Sequence, residues 1–368
     1  MTSSPSISPF DQEGVERLRR ELKLDPASIR QLRNALLKRF VSDEVLLETF
    51  PIARGMALHS LELFRRCDST VDGATKLLLR TTAGMLIESV ILRIATGRTT
   101  LCVSSQVGCA AACEFCATGK MGIARNLSSD EILDQVLRAG QLLAEESRSL
   151  RNVVFMGMGE PLHNEEHLYR ALELLISPAF FNIAPTKVLV STVGVADAML
   201  RCVERFPKVS LALSLHSVRQ DIRSRLIPLA TKFPLDELQR TIAAVNQRQA
   251  ASVMVEYLML AGVNDSQDDA RELAQWLAGL NVHVNLIPYN PIDDAPQLVG
   301  SDRETRLAFA KTIRAAGFKT TLRYSLGNDI AAACGQLVRR ENREIAKLAN
   351  VADFTSRQVG INSLNGKP

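Results

Sequence analysis

No stretch of the 368 residues approaches eighteen uninterrupted apolar positions, so the sequence offers no candidate membrane-spanning helix. The opening MTSSPSISPFDQEG has no basic segment followed by an apolar run, so no secretory signal is expected and the chain is read as cytoplasmic. A strong excess of one charge is missing as well. The 44 Lys and Arg against 40 Asp and Glu leave +4, which permits a polyanionic partner without demanding one. Without export, seven cysteines are expected to stay reduced, and clustered ones read as metal ligands or catalysts rather than staples. A second C-x2-C pair is absent and the five histidines show no ligand spacing, so a four-ligand structural zinc site lacks its ligands.

What is present is a chain long enough for a barrel-sized domain plus a small one, with an ordinary apolar share of 46%. Residues 10 to about 67 carry apolar positions at three- and four-residue spacing among many charges and read as helical. We assign 1–70 to a small helical accessory domain with a docking role for a large partner. Residues 71–97 form a β-hairpin extension, from two short apolar runs joined at Ala83 and Gly84. From 98 to 345 apolar strands alternate with amphipathic helices, the first of which opens with Ser128 and Glu131 in a capping-box pattern. Six or seven such repeats predict an α/β fold with a parallel sheet curled into a full or partial barrel. The last residues, 346–368, read as a tail following a fraying helix that starts near Arg339.

A barrel places reactive residues just after its strands. GCAAACEFC follows the first predicted strand, GEP the second, STVG the third, SLHS the fourth and YNP the sixth. Within the first of these, Cys109, Cys113 and Cys116 have the spacing C-x3-C-x2-C. Thiolates are soft ligands, and three of them on a 4Fe–4S cube leave one iron open for a substrate. Cys67 and Cys202 stand in helical, apolar contexts and read as buried small hydrophobes. Cys102 opens the cluster loop and Cys334 follows the last strand, which brings both to the mouth of a barrel. Such a non-ligand pair suggests nucleophilic or thiol-exchange chemistry.

C-x3-C-x2-C directly after the first strand of a β/α barrel resembles the radical S-adenosylmethionine (SAM) superfamily. That resemblance implies a partial (β/α)6-type barrel and a cluster on Cys109, Cys113 and Cys116. SAM would bind the open iron and be cleaved reductively to a 5′-deoxyadenosyl radical. Gly159 and Glu160 in GMGEP, with Ser191, Ser214, Leu215, His216 and Asn290 at later strand ends, are the residues it implies for SAM. Taken together, LCVSSQVGCAAACEFCATGKMGIARNLSSDEI, VVFMGMGEPLHN, SLALSLHS and NDIAAACGQL resemble the RlmN/Cfr family of RNA methyltransferases from about Thr82 to Leu337.

That family methylates C2 or C8 of an adenosine in 23S ribosomal RNA, and some members also act on tRNA. The resemblance implies two SAM molecules per turnover. The first methylates Cys334. The second yields the radical that takes hydrogen from that methyl group, and the resulting methylene radical adds to the adenine carbon. Cys102 then closes a transient disulfide with Cys334, and Glu88 in LIESVI is the implied proton acceptor. RNA docking by residues 1–70, an electron donor such as flavodoxin or ferredoxin, a monomeric chain and no membrane complete the expectations. C2 is the carbon carried forward. Val107 and the Ala-rich run before Cys113 match the C2 pattern, whereas RYSLGNDI, with Leu326 before Gly327, leans to the C8 alternative. A further alternative is a radical SAM enzyme acting on a different RNA.

Overall fold

The computed structural model describes residues 7–336, so the helix and tail expected from 339 onward lie outside the described residues. The chain opens with helices α1 (Gln12–Glu21), α2 (Ala27–Arg33) and α3 (Asp43–Thr49). Asp11 caps α1 by accepting from Gly14 N at 3.0 Å, which satisfies one of the first-turn amides that a helix leaves open.

Three antiparallel strands follow: β1 (Glu62–Asp68), β2 (Ala74–Arg80) and β3 (Leu86–Arg93). This corrects the sequence reading in one place, because Glu62–Asp68 is a strand rather than the end of a helix. Almost every residue of β1 is exposed, so no buried face imprints a period of two on its sequence. Pairing with β2 defines it instead. Cys67 is accordingly a half-buried strand residue and not a helical core position, whereas Cys202 is buried as expected.

The core then alternates strand and helix. Strand β4 (Thr99–Cys102) leads to a small antiparallel pair, β5 (Gln106–Gly108) and β6 (Ile123–Asn126), around the short helix α4 (Ala117–Met121). Next come α5 (Ser129–Glu145), β7 (Asn152–Phe155), α6 (Glu165–Ile176), β8 (Val188–Thr192), α7 (Ala196–Arg205) and β9 (Ser210–Ser214). After them stand α8 (Gln220–Leu226), α9 (Leu235–Arg248), β10 (Val253–Met259), α10 (Gln267–Trp276), β11 (Val282–Pro288), α11 (Arg303–Ala315) and β12 (Lys319–Leu322). The strand order is β1-β2-β3-β4-β7-β8-β9-β10-β11-β12, and every neighbouring pair from β4 to β12 is parallel. Six helical crossovers therefore link the parallel strands, and β1 and β12 stand at the two ends of an open sheet. This is the α/β, partial-barrel architecture.

Packing explains why the accessory helices stay with the barrel. The Ser128 and Glu131 capping box starts α5, whose Ile132, Leu133, Val136, Leu137 and Leu143 are fully buried. A side chain on Gly140 of α5 would collide with the Phe40 ring, at 2.2 Å, so the glycine lets the accessory module lie directly on the helix. Asp134, on the same helix and fully buried, accepts from Ser60 N at 2.9 Å, from Leu61 N at 2.7 Å and from the His59 ring. His59 in turn reaches Asp43 of α3. None of the described helices is long and apolar enough to cross a membrane.

A third set of contacts crosses the open side of the sheet. Residues 323–333, after β12, run back to the β1–β3 extension. There Asp72 accepts from Gly327 N at 2.8 Å, and Asp329 accepts from Ser69 Oγ at 2.9 Å and Thr70 N at 3.0 Å. Lys76 Nζ donates to Ala331 O at 3.1 Å. This strap carries Cys334.

Candidate active site

The C-terminal ends of the strands enclose a cavity of about 130 Å³. Its wall takes residues from β7, β8, β9, β10 and β11 and from the loops that follow several of them, together with the cysteine loop and Cys334. Parallel strands lie about 4.8 Å apart, so side chains from five of them meet at one cavity only if the sheet curls.

Cys109, Cys113 and Cys116 all line this cavity. Burial raises their thiols, Cys109 up to about 12 and the other two above the ordinary range, with neighbouring cysteines adding to the rise at Cys109 and Cys113. The loop is held by backbone bonds at both flanks: Glu114 N donates to Leu226 O, at the end of α8, and Ala117 N to Gly335 O, next to Cys334. Among the described residues no three His, Cys, Asp or Glu side chains are arranged around a single metal ion. A cube-shaped cluster places its thiolates on three different irons, so its ligands stand further apart than those of one ion.

The glycines of GMGEP serve the loop before any ligand. A Cβ on Gly157 would come within 2.7 Å of Val103 and Ser104. Gly159, at φ +103°, would place one 2.7 Å from Gln106 Cβ. Their absence of side chains lets the loop after β7 lie flat on the segment that leads into the cysteines. Gln106 Oε1 then accepts from Glu160 N at 2.8 Å.

Glu160 is buried in the wall, and its carboxylate accepts from Leu162 N at 3.0 Å and Val193 N at 2.8 Å. Burial pushes its carboxyl up to about 7, against those two amides. Ser191 and Ser214 line the same wall. His216, at φ +62°, is buried, and burial together with the Arg223 charge lowers it to about 3. The ring is therefore neutral. Its Nδ1 accepts from Leu258 N at 3.1 Å, which leaves the Nε2 proton available as a donor. Two expected SAM residues do not face the cavity. Leu215 is fully buried with its carbonyl on Arg223, and Asn290 Nδ2 donates to Cys334 O at 3.0 Å.

The second pair of cysteines lies toward the extension, Cys102 on β4 beside β3 and Cys334 just beyond the strap. Val90 pairs with Cys102 and Leu78 with Glu88 across antiparallel strands, so the alternation of the sheet puts Glu88, Val90 and Cys102 on one face. Glu88 is fully buried with Lys76 Nζ at 3.8 Å, the same ammonium that holds Ala331 of the strap. Cys334 is exposed at the rim, Cys102 is half-buried, and both are free thiols. Burial and then the Cys334 sulfur raise Cys102 to about 12, and crowding by the protein raises Cys334 to about 11, with Arg323 opposing both. Arg323 lies 3.8 Å from Glu256, whose carboxylate also accepts twice from Asn285 Nδ2.

Sequence reasoning missed the supports. Asn264 fastens the loop after β10 through His216 O, Leu258 O and Leu260 N. Arg223 is completely buried and donates to Ser214 O at 2.9 Å, to Val193 O at 2.6 Å and to Leu215 O. Its place within RQDIRSRL carries no periodic mark that distinguishes it from the neighbouring surface arginines.

Residues 103–277 match the model of the radical SAM superfamily. A probable RNA methyltransferase of Rhodopirellula baltica is 58% identical over 357 residues, 97% of this chain and 94% of that protein. A probable dual-specificity RNA methyltransferase RlmN of Thermus thermophilus is 40% identical over 294 residues, covering 80% of this chain and 82% of its own. The crystal structure of a radical SAM methyltransferase from Sphaerobacter thermophilus matches with a TM-score of 0.84 at 36% identity, over 90% of this chain and 99% of that one.

Proposed function

The chain belongs to the RlmN-type radical SAM RNA methyltransferases, and on that premise we propose that it methylates C2 of an adenosine in 23S rRNA, and in tRNA, through a methyl group carried on Cys334. Membership implies SAM and a 4Fe–4S cluster. The donor set fits the cluster, since three soft thiols on one loop line the same cavity. We assign Cys109, Cys113 and Cys116 to hold it. When bound there, the cluster supplies the electron for reductive cleavage of SAM.

The remaining roles follow from side chains. Glu160 faces the cavity as a carboxylate acceptor for the SAM ammonium, with Gly159, Ser191, Ser214 and neutral His216 as polar partners around it. Leu215 and Asn290 act indirectly, through the Arg223 contact and the Cys334 carbonyl. Cys334, exposed at the rim, accepts the first methyl group and becomes linked through that carbon to the adenine. Cys102 attacks the Cys334 sulfur, so that an S–S bond forms and the S–C bond to the base breaks. Glu88 receives the ring proton. Two SAM molecules are used per turnover, an external flavodoxin or ferredoxin supplies electrons, the 1–70 module docks RNA and the chain acts as a monomer in the cytoplasm.

One observation carries this reading. Neither Cys334 nor Cys102 belongs to the C-x3-C-x2-C set, yet the strap brings Cys334 to the wall of the cavity that the three cluster cysteines line, on the side where the β1–β3 extension fixes Cys102. Cys102→Ala should therefore accumulate protein cross-linked to RNA through Cys334, detected by mass spectrometry. Finding only free RNA and unmodified enzyme would overturn the proposed roles. The same spectra locate the methyl group. The C8 reading, favoured by Leu326 before Gly327, predicts 8-methyladenosine instead.

A further inference from the structure

The most unusual charge in the molecule is Arg223. It is fully buried, and no carboxylate pairs with it among the described residues. Its guanidinium donates to the carbonyls of Val193, Ser214 and Leu215, while Nε is buried without a hydrogen-bond partner. Carbonyls solvate a cation but do not neutralise it, and an uncompensated charge away from water is costly. A countercharge belongs nearby.

The surroundings say where. Arg223 stands on α8, whose last residue bonds through Leu226 O to Glu114 N, the residue after Cys113. Leu226 and Ile227 share one apolar cluster with Cys109 and Cys113. Two of the residues whose carbonyls Arg223 holds, Val193 and Ser214, line the cavity together with Cys109, Cys113 and Cys116. Besides the thiols, the ionisable residues on that wall are Glu160, Glu256, His216 and Tyr289, with no lysine or arginine among the described lining residues.

We infer that Arg223 is the buried countercation of the cluster loop, a positioning residue that favours the reduced form of the cluster held by Cys109, Cys113 and Cys116. The inference rests on the radical SAM reading proposed above. A 4Fe–4S core on three thiolates is net negative and gains one more negative charge on reduction, so a fixed cation in the adjoining low-dielectric layer stabilises the reduced form more. The same guanidinium keeps the ends of β8 and β9 at the spacing that presents Ser191 and Ser214 to the cavity. A purely structural role would affect that spacing and leave the potential alone.

The test is an anaerobic redox titration of reconstituted protein followed by electron paramagnetic resonance, with iron content and thermal unfolding measured alongside. The proteins are the wild type, Arg223→Lys and Arg223→Gln. Removing the charge should lower the reduced-to-oxidised ratio at a fixed potential about tenfold, which for one electron is a shift of about 59 mV to more negative potential. Lysine keeps the charge but withdraws it from the three carbonyls, so its shift should be in the same direction and smaller. Equal potentials for fully loaded wild type and both variants would overturn the inference, even if the variants melt earlier. Should the glutamine variant fail to fold, wild type against lysine decides, and identical potentials again overturn it. A wild type that binds no cluster would instead remove the proposed function on which the inference rests.

Discussion

The junction between the accessory helices and the barrel is a titratable lock, and its strength follows from His59. The ring lies between Asp134 of α5 and Asp43 of α3, with its side chain only 11% exposed. Burial disfavours its charge, but the hydrogen bonds to Asp134 and Asp43 outweigh that and raise it from 6.5 to about 9. A group raised on folding contributes stability that is complete below its unfolded value and is lost as pH rises through its folded value. At about 1.4 kcal/mol per tenfold, the contribution reaches about 3 kcal/mol at most, and about 2 kcal/mol is a fair working figure for a site of this exposure. The assay is urea unfolding of wild type and His59→Gln at pH 6, 8 and 10. The wild type should exceed the variant by about 2 kcal/mol more at pH 6 than at pH 10, with the decline falling between 6.5 and 9. Taking the difference between the two proteins cancels the other groups that titrate near pH 10. A gap that stays constant with pH would refute the reasoning, because the imidazolium would then contribute nothing to the junction.

Two further outcomes follow from the loops around the cavity. Lys76→Met, or Asp72→Ala, removes a tether of the strap at Ala331 or Gly327, so RNA methylation should fall at least tenfold while SAM cleavage without RNA is retained; radiolabelled methyl transfer and 5′-deoxyadenosine release measure the two. Gly159→Ala forces a Cβ into a left-handed backbone position 2.7 Å from Gln106, so it should cost about 1–3 kcal/mol in thermal unfolding and weaken SAM binding measured by calorimetry.

How far the sequence revealed the molecule depended on what each segment buries. The parallel strands and their crossover helices were legible because each strand buries most of its face and each helix one stripe, so period and length agree. The cysteine loop was legible for a different reason, since three soft ligands at short spacing have few other uses. Strand β1 was not, because an exposed edge strand has no apolar alternation to read. Leu215 and Asn290 show the same limit at the site. Residue type marked them as strand-end positions or neighbours of one, but their partners, Arg223 on the Leu215 carbonyl and the Cys334 carbonyl on the Asn290 amide, come from other segments. Arg223 itself could not be found from sequence, since burial of an arginine depends on carbonyls supplied by three separate segments.

The extension shows why distant parts of this chain act on one another. A sheet that stops short of closure leaves an open side, and the strap must cross it to bring Cys334 to the cavity. The strap starts on the barrel, where Arg323 N donates to Leu286 O, and along its middle it is anchored to the β1–β3 extension through Ser69, Thr70, Asp72 and Lys76. The same layer carries Glu88 and, through pairing with β4, fixes the face of Cys102. Cys334, Cys102 and Glu88, the three groups given roles in the proposed reaction, are thus referred to one sheet rather than to three independent loops. Lys76 ties them most closely, because one ammonium stands 3.8 Å from the Glu88 carboxylate and 3.1 Å from the Ala331 carbonyl. Movement of the strap therefore changes the electrostatic surroundings of Glu88, and in the proposed reaction this would couple the proton acceptor to the position of Cys334 through that one side chain.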